Sequence, residues 1–288
     1  MARVLVLGAD GMVGHVARIY LSGRGHEVQA VARSESPDWS YLDVENESAI
    51  FAHIAKIRPE IVLNCVGLLI RESEDDPERA IRLNALMPRA LARMGAAMGY
   101  RLIHVSSDCV FSGSSGPYRE GDRRDADEVY GRTKALGEIV NNRDLTIRTS
   151  KVGPELKPNG SGLFHWFMGQ KGTIKGFSRA IWGGVTTLEM AKAIDAAITD
   201  GTTGLVHLTN NDPISKYELI KLFQELWGRD DIEIERDEQR ASDRSLICTR
   251  SDYRFQVPSY RTMLEEMKEF METHSELYKL YEKNTSRN

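Results

Sequence analysis

The sequence predicts an α/β fold in which a doubly wound parallel sheet is followed by a smaller C-terminal lobe. Three observations lead there. The chain opens on an apolar run, residues 3–7, that passes through a glycine-spaced turn into an amphipathic helical pattern. Strand-type runs then alternate with helical patterns as far as Arg148, an alternation that puts helices on both faces of a parallel sheet. After Gly153 the pattern loosens, and residues 154–162 are rich in Pro, Gly and charge. A first domain over residues 1–153 and a lobe over 154–288 follow, with the return of some later segments to the sheet left open.

Taken in order, the first strand leads into Gly8, Gly11 and Gly14, spaced G-x-x-G-x-x-G. Gly8 permits a tight turn, Gly11 lets backbone N–H groups approach a pyrophosphate at a helix N-terminus, and Gly14 allows the helix to pack closely on the strand. Strand, glycine turn and helix in this order are the context of a dinucleotide site, so the sheet is expected to be Rossmann-type. The turn residues Asp10, Met12 and Val13 join the glycines as candidate cofactor contacts. A second strand, 27–32, ends in Ala32-Arg33-Ser34. There a guanidinium can pair bidentately with a ribose 2′-phosphate and the Ser34 hydroxyl can add a bond, which favours NADPH and leaves NADH open. The alternative for Arg33 is a solvated surface charge.

A helix over 48–56, a strand over 61–64, a helix over 78–98, a strand over 102–106, a helix over 129–140 and a strand over 145–148 complete the alternation. Ligands of such sheets sit beyond the carboxyl ends of the strands, so Gly8, residues 64–67 and residues 106–108 should converge on one cleft. Residues 169–184 carry five glycines and read as loops. Helices are expected over 188–199, 215–227 and 260–281, with short strands over 204–208 and 232–236, the latter at an edge. Residues 283–288 are polar and should fray, and the Asn284-Thr285-Ser286 sequon is taken as accidental.

The chemistry concentrates at Val105-Ser106-Ser107-Asp108 and at Tyr130-Gly131-Arg132-Thr133-Lys134. Tyr130 and Lys134 are four apart and share one face of a helix, where an ammonium can lower a phenol pKa from its usual value of about 10. Ser107 can hold a substrate oxygen while Tyr130 protonates it, as in the reduction of a carbonyl. A lone Tyr-x-x-x-Lys is common by chance; the glycine turn ahead of it gives the pair its meaning.

Both motifs, in this order, resemble the extended short-chain dehydrogenase/reductase superfamily, and the surrounding residues resemble its dTDP-4-dehydrorhamnose reductase branch. The matching stretches are residues 8–14, Leu42-Asp43-Val44, Asn64-Cys65-Val66-Gly67, Leu83-Asn84-Ala85, residues 104–113, 130–138 and Arg148-Thr149-Ser150. They cover residues 1–153 and thin out in the C-terminal third. The resemblance implies that Asp43 contacts the adenine, although it also reads as a helix N-cap, and that Val44, Cys65, Val66, Gly67 and Val105 line the cofactor. Lys134 would then also bridge the nicotinamide ribose hydroxyls. Asp108 either contacts sugar hydroxyls or caps a turn. The implied reaction is reduction of the 4-keto group of a nucleotide-diphosphate sugar of the 4-keto-6-deoxy class, in cell-surface polysaccharide precursor synthesis, within a lobe that binds this substrate.

Departures from the branch bear on the sugar. Lys151 stands where the branch usually has Trp after Arg-Thr-Ser, and Trp182 lies in an altered loop. Lys151 either meets a diphosphate or an N-acetyl oxygen or is solvated; Trp182 either stacks on a sugar or base or fills the core. His165, Trp166 and Phe167 either belong to the same pocket or, as their spacing favours, form a buried helix face. A UDP-linked N-acetylated sugar is therefore an alternative substrate, followed by a nucleotide-sugar epimerase and by a non-catalytic subunit like the regulatory β subunit of methionine adenosyltransferase. Dehydration is disfavoured, because Cys109 stands where dehydratases carry a carboxylate. A homodimer through helices 78–98 and 129–140 is open, as is a magnesium bridge between subunits.

The composition suits this reading: 288 residues, 41% hydrophobic, 28% charged and a net charge of −4, which disfavours a general nucleic-acid binder. With a strand from Arg3 and no apolar run near the eighteen or so residues of a span, the expectation is a cytoplasmic protein that does not enter membranes. The three cysteines, Cys65, Cys109 and Cys248, are expected as reduced thiols with no metal site.

Overall fold

Seven parallel strands divide the molecule into two faces, and the division is written into the alternation of each strand. The computed structural model describes residues 1–282; residues 283–288, expected to fray, lie outside them together with the sequon. The sheet comprises β1 (Arg3–Leu7), β2 (Glu27–Ala32), β3 (Ser40–Tyr41), β4 (Ile61–Asn64), β5 (Arg101–Val105), β6 (Leu145–Arg148) and, from the C-terminal half, Gly204–His207. Its order is β3-β2-β1-β4-β5-β6 followed by Gly204–His207, all parallel. The order reverses beside β1, so β1 and β4 border the crevice in which such sheets bind ligands.

Val4 and Val6 of β1, Ile61 and Leu63 of β4, Ile103 and Val105 of β5 enter one core. Leu5, Leu7, Val62 and Leu102 enter the other. Helices α1 (Met12–Gly23) and Thr187–Asp200 cover the first face through Val16, Ala17, Leu21, Ala191 and Ile194. The second is covered by α2 (Glu47–Ile57) through Ile50 and Ile54, and by the 77–98 helical run through Leu83, Met87 and Leu91. The first core runs on without a break into the C-terminal half, where Phe164, Phe167, Phe223, Trp227 and Met263 join it.

Several expectations need correction. A short helix, α3 (Ile70–Asp75), precedes the run expected at 78–98, which consists of α4 (Pro77–Ala80), a π-helical turn Ile81–Leu86 and α5 (Met87–Met98). The helix that carries Tyr130, α6 (Val129–Gly137), stops three residues short of 140. Gly137 lies against the carbonyl of Asn84, where any Cβ would collide, and Glu138 leaves the helix with an extended backbone. The segment 169–184 is not loop: Gly172–Phe177 pairs in parallel with Ile232–Asp237, Ala180–Trp182 lies between Ile214–Ser215 and Ser242–Asp243, and Val185–Thr186 pairs with β7 (Lys151–Val152). The C-terminal helix spans Tyr260–Thr273 and breaks at His274, whose Nδ1 bonds the Phe270 carbonyl, before a 3-10 turn at Ser275–Leu277. No helix among the described residues is long and apolar enough to cross a membrane.

Candidate active site

The glycine turn follows β1 directly. Gly8 has φ +85°, its N–H and that of Ala9 both donate to the Val31 carbonyl, and a Cβ on it would stand 3.1 Å from the Val66 side chain. A Cβ on Gly14 would collide with the Gly8 carbonyl, so α1 can approach β1 only because the residue is glycine. Gly11 is the N-cap of α1 and offers no side-chain cap hydrogen bond. The first N–H groups of α1 are thus left for an anion, beside a cradle with no room for side chains. That arrangement fits the pyrophosphate of a dinucleotide.

The carboxyl ends of β4 and β5 bring the rest of the cleft together. Gly67 follows β4, and a Cβ there would be 3.8 Å from Lys134 Nζ. Lys134, one turn beyond Tyr130 on α6, donates from Nζ to the Val105 carbonyl at 2.7 Å. Ser107 caps the 3-10 turn Asp108–Val110: its Oγ accepts from the Cys109 N–H at 3.1 Å and donates to Asp108 Oδ1 at 3.1 Å. Ser107 stands near enough to Tyr130 to favour the charged form of its phenol. Gly8, residues 65–67, Val105, Ser107, Tyr130 and Lys134 therefore lie close together at the carboxyl ends of β1, β4 and β5.

Burial governs the electrostatics. The Tyr130 phenol, 7% exposed, is raised above its ordinary 10.0, first by desolvation, then by the Cys109 thiol, with Ser107 pulling the other way. The sequence led us to expect Lys134 to lower this phenol; desolvation prevails instead. Lys134 itself is lowered from 10.5 to about 7, by burial first and by the Lys151 charge second. The Cys65 thiol is pushed up to about 12 and that of Cys109 to about 11, both by burial, so neither is a ready nucleophile.

The remaining expected residues take varied places. Arg33, exposed, pairs with Glu45 at 3.6 Å, and the Ser34 hydroxyl donates to Asp10 at 3.3 Å. Asp43 is not a helix cap: Asn46 caps α2, while Asp43 Oδ1 accepts from the Glu45 N–H within the preceding turn. Val44 is buried below it. Met12 and Val13 open α1, with the Met12 ε-methyl against Gly162. Lys151 donates to the Ser106 carbonyl at 3.1 Å and is not a solvated surface charge. Asp108 is buried beside Ser107. Trp182, 5% exposed, packs at 5.5 Å from the Tyr260 ring within the first core, which leaves no open face for stacking on a sugar. Of 165–167, Phe167 is buried, Trp166 is exposed and His165 bonds the Tyr281 hydroxyl.

Three supports were given no role by the sequence reading, although Asn84 and Glu138 lie in stretches that carry the resemblance. Asn84, in the π turn, accepts from the Leu68 N–H at 2.8 Å and donates to Thr133 at 3.2 Å, tying the loop after β4 to α6 between Tyr130 and Lys134. A polar residue inside an apolar helical run was the signal available. Buried Glu138 receives Arg148 at 2.6 and 2.8 Å and the Ser106 hydroxyl at 2.8 Å, fixing the residue next to Ser107. Arg244 reaches from the C-terminal half to Cys109 Sγ and Glu128 Oε1, each at 3.4 Å; its stretch resembles the branch only faintly, and its proximity in space reveals its role.

Residues 2–269 match the family model described as the RmlD substrate binding domain. Over 138 residues the chain is 38% identical to a dTDP-4-dehydrorhamnose reductase of Streptomyces griseus, an alignment covering 47% of this chain and 43% of that protein. Over 138 residues it is 33% identical to methionine adenosyltransferase 2 subunit beta of Xenopus tropicalis, covering 47% of this chain and 41% of that protein. The chain thus spans less than half the length of these curated relatives. A solved dTDP-4-dehydrorhamnose reductase from Bacillus anthracis str. Ames, in complex with NADP, shares the fold with a TM-score of 0.81 at 21% identity, covering 94% of this chain and 99% of that one.

Proposed function

The chain belongs to the RmlD substrate binding domain family, and from that membership we propose that it is an NADPH-dependent reductase of the 4-keto group of a nucleotide-activated 4-keto-6-deoxy sugar. The observation that carries this reading is the meeting of Ser107, Tyr130 and Lys134 beside the glycine turn. When bound, the nicotinamide supplies the hydride. Tyr130 gives its proton to the carbonyl oxygen, and its raised pKa keeps that proton in place until substrate arrives. The Ser107 hydroxyl donates to the same oxygen as charge develops on it. Lys134, as ammonium, eases loss of the phenolic proton and holds the cofactor ribose; Gly8, Gly11 and Gly14 hold the pyrophosphate.

Asp108, next to Ser107, meets the sugar, and Lys151 meets an anionic or carbonyl group of the substrate. A dTDP-linked sugar is preferred over a UDP-linked N-acetylated one on the similarity to the Streptomyces griseus reductase. The similarity to methionine adenosyltransferase 2 subunit beta favours a second reading, a binding subunit without turnover; the intact Ser107, Tyr130 and Lys134 speak for catalysis. We also propose that copies pair through the face carrying exposed Leu86, Leu136 and Val140, at the 77–98 helical run and the end of α6, which sedimentation would test.

The deciding experiment offers dTDP- and UDP-linked 4-keto-6-deoxy sugars with NADPH and follows loss of NADPH absorbance. Stoichiometric NADPH consumption is expected. Turnover with the cofactor unchanged means epimerisation, and partner binding with no turnover on any sugar means the regulatory reading.

A further inference from the structure

One ion pair joins segments 147 residues apart at the rim of the glycine turn: Lys157 Nζ lies 2.7 Å from Asp10 Oδ2, the same oxygen that accepts from the Ser34 hydroxyl. Resting on the reading above that a dinucleotide occupies this turn, we infer that Lys157 is the second cation of an anion subsite at the end of β2, selecting an adenosine that carries a 2′-phosphate.

Asp10 makes the residue necessary. Its carboxylate stands against Ser34, one of the two side chains expected to hold that phosphate, and a bare carboxylate there would repel a phosphate dianion. Arg33, the other, stands 3.6 Å from Glu45, which Arg79 holds at 2.7 Å. Glu45 is balanced by Arg79, but without Lys157 the Asp10 carboxylate has no ion-pair partner among the described residues. Lys157 changes the balance, because an ammonium has three donors and can keep Asp10 while donating to a phosphate oxygen. Its side chain is 55% exposed, so it can reorient without disturbing the core.

The segment that carries it is fixed at both ends. The Glu155 N–H donates to the Tyr281 hydroxyl at 2.8 Å, and the Gly162 N–H donates to Glu155 Oε1 at 2.7 Å, with Gly162 against Met12 of α1. Lys157 is therefore held over the turn by the fold. An ion pair at the surface contributes little to stability, whereas a charge-assisted bond to phosphate changes affinity by tenfold or more.

The test measures dissociation constants of the full chain for NADP+, NAD+ and the nicotinamide-free probe adenosine 2′,5′-bisphosphate by calorimetry. For Lys157→Ala, NADP+ and the bisphosphate should bind about tenfold more weakly and NAD+ within about twofold of wild type. Adding Asp10→Asn to Lys157→Ala should recover most of the loss, since the repelling carboxylate is gone. Equal weakening of NADP+ and NAD+ overturns the inference, as does an unchanged NADP+ constant or tighter binding of NAD+ than NADP+ by the wild type; in each of these the reductase reading stands. Wild-type protein that binds neither dinucleotide overturns that reading and this inference with it.

Discussion

The amines of Lys134 and Lys151 rest on consecutive carbonyls at the end of β5, Lys134 Nζ on Val105 at 2.7 Å and Lys151 Nζ on Ser106 at 3.1 Å. Two cations so placed, Lys134 buried and Lys151 half-buried, oppose each other's charge. Lys134 falls to about 7 through burial and then through Lys151, while Glu138 and Cys65 act in the opposite sense. Below about pH 7 Lys134 is the ammonium that assists Tyr130; above it, the amine is neutral. The value of kcat/KM for NADPH, which reports the cofactor-free protein, should hold below about pH 7 and decline above it. Lys151→Met removes one charge and should move that decline to higher pH. Profiles of the two proteins check this, and a decline that stays in place would refute the coupling.

Tyr130→Phe removes the proton donor and leaves the ring to fill its buried place. Rate should fall by about a hundredfold or more, the usual scale for a positioned acid, while the dissociation constant for NADPH stays near wild type. Single-turnover kinetics beside a binding titration separates the two effects. Full activity in the variant would end the assignment of Tyr130 as the acid.

Glu138 and Arg148 form the buried ion pair behind Ser106, with Arg148 only 2% exposed. Glu138→Gln leaves Arg148 charged and underpaired, a change that costs about 3–5 kcal/mol. The pair also sets a pH dependence. The Arg148 hydrogen bonds hold the Glu138 carboxyl below its ordinary 4.5 against the opposing effect of burial, so this stability is present above pH 4.5 and is lost as pH falls through the folded-state value. Urea denaturation should therefore show a wild-type advantage at pH 7 that narrows toward pH 3.

Gly14→Ala puts a Cβ into the Gly8 carbonyl. The turn must open or α1 must move off β1, and either change spoils the cradle. Binding of NADP+ should be lost at concentrations that saturate the wild type, with a lowered Tm. Gly23→Ala, where a Cβ meets nothing within 4 Å on the same helix, serves as the control and should change neither.

The sheet was legible because its signal is local. β1, β2, β4, β5 and β6 each carry their own apolar run, and the glycine turn states its own geometry. Ser107, Tyr130 and Lys134 were legible for the same reason, since a helix spacing and a strand end are enough to bring them together. What failed depends on partners distant in sequence. Gly172–Phe177 is a strand only because Ile232–Asp237, 60 residues on, pairs with it, and five glycines outweighed that pairing in the sequence. Polar α3 lacks an apolar stripe; its start is fixed by Glu72, which accepts from the Leu69 N–H at 2.9 Å. Trp182, left open in the sequence between a stacking platform and a core residue, packs against Tyr260 in the core, and Arg244 lies where the resemblance is only faint.

Arg244 yields the remaining prediction. It follows the strand Ser242–Asp243, yet its guanidinium touches Cys109 Sγ, Glu128 Oε1 and, from Nε, the Ser112 carbonyl at 3.3 Å. One side chain of the C-terminal half thereby clamps the turn after Ser107 to the start of α6, the two segments that set the distance from hydroxyl to phenol. A planar fork can serve three acceptors at once, and a flexible point charge cannot. Arg244→Lys keeps the charge but loses the clamp, so kcat should fall by about ten- to a hundredfold, the scale of a small misplacement of reacting groups. The dissociation constant for NADP+ should not move, because none of these contacts reaches the glycine turn. Measuring kcat, NADP+ affinity and Tm together decides the matter: a kcat equal to wild type would mean that Arg244 only fastens the C-terminal half, and a parallel fall in Tm and affinity would mean general loosening of the fold.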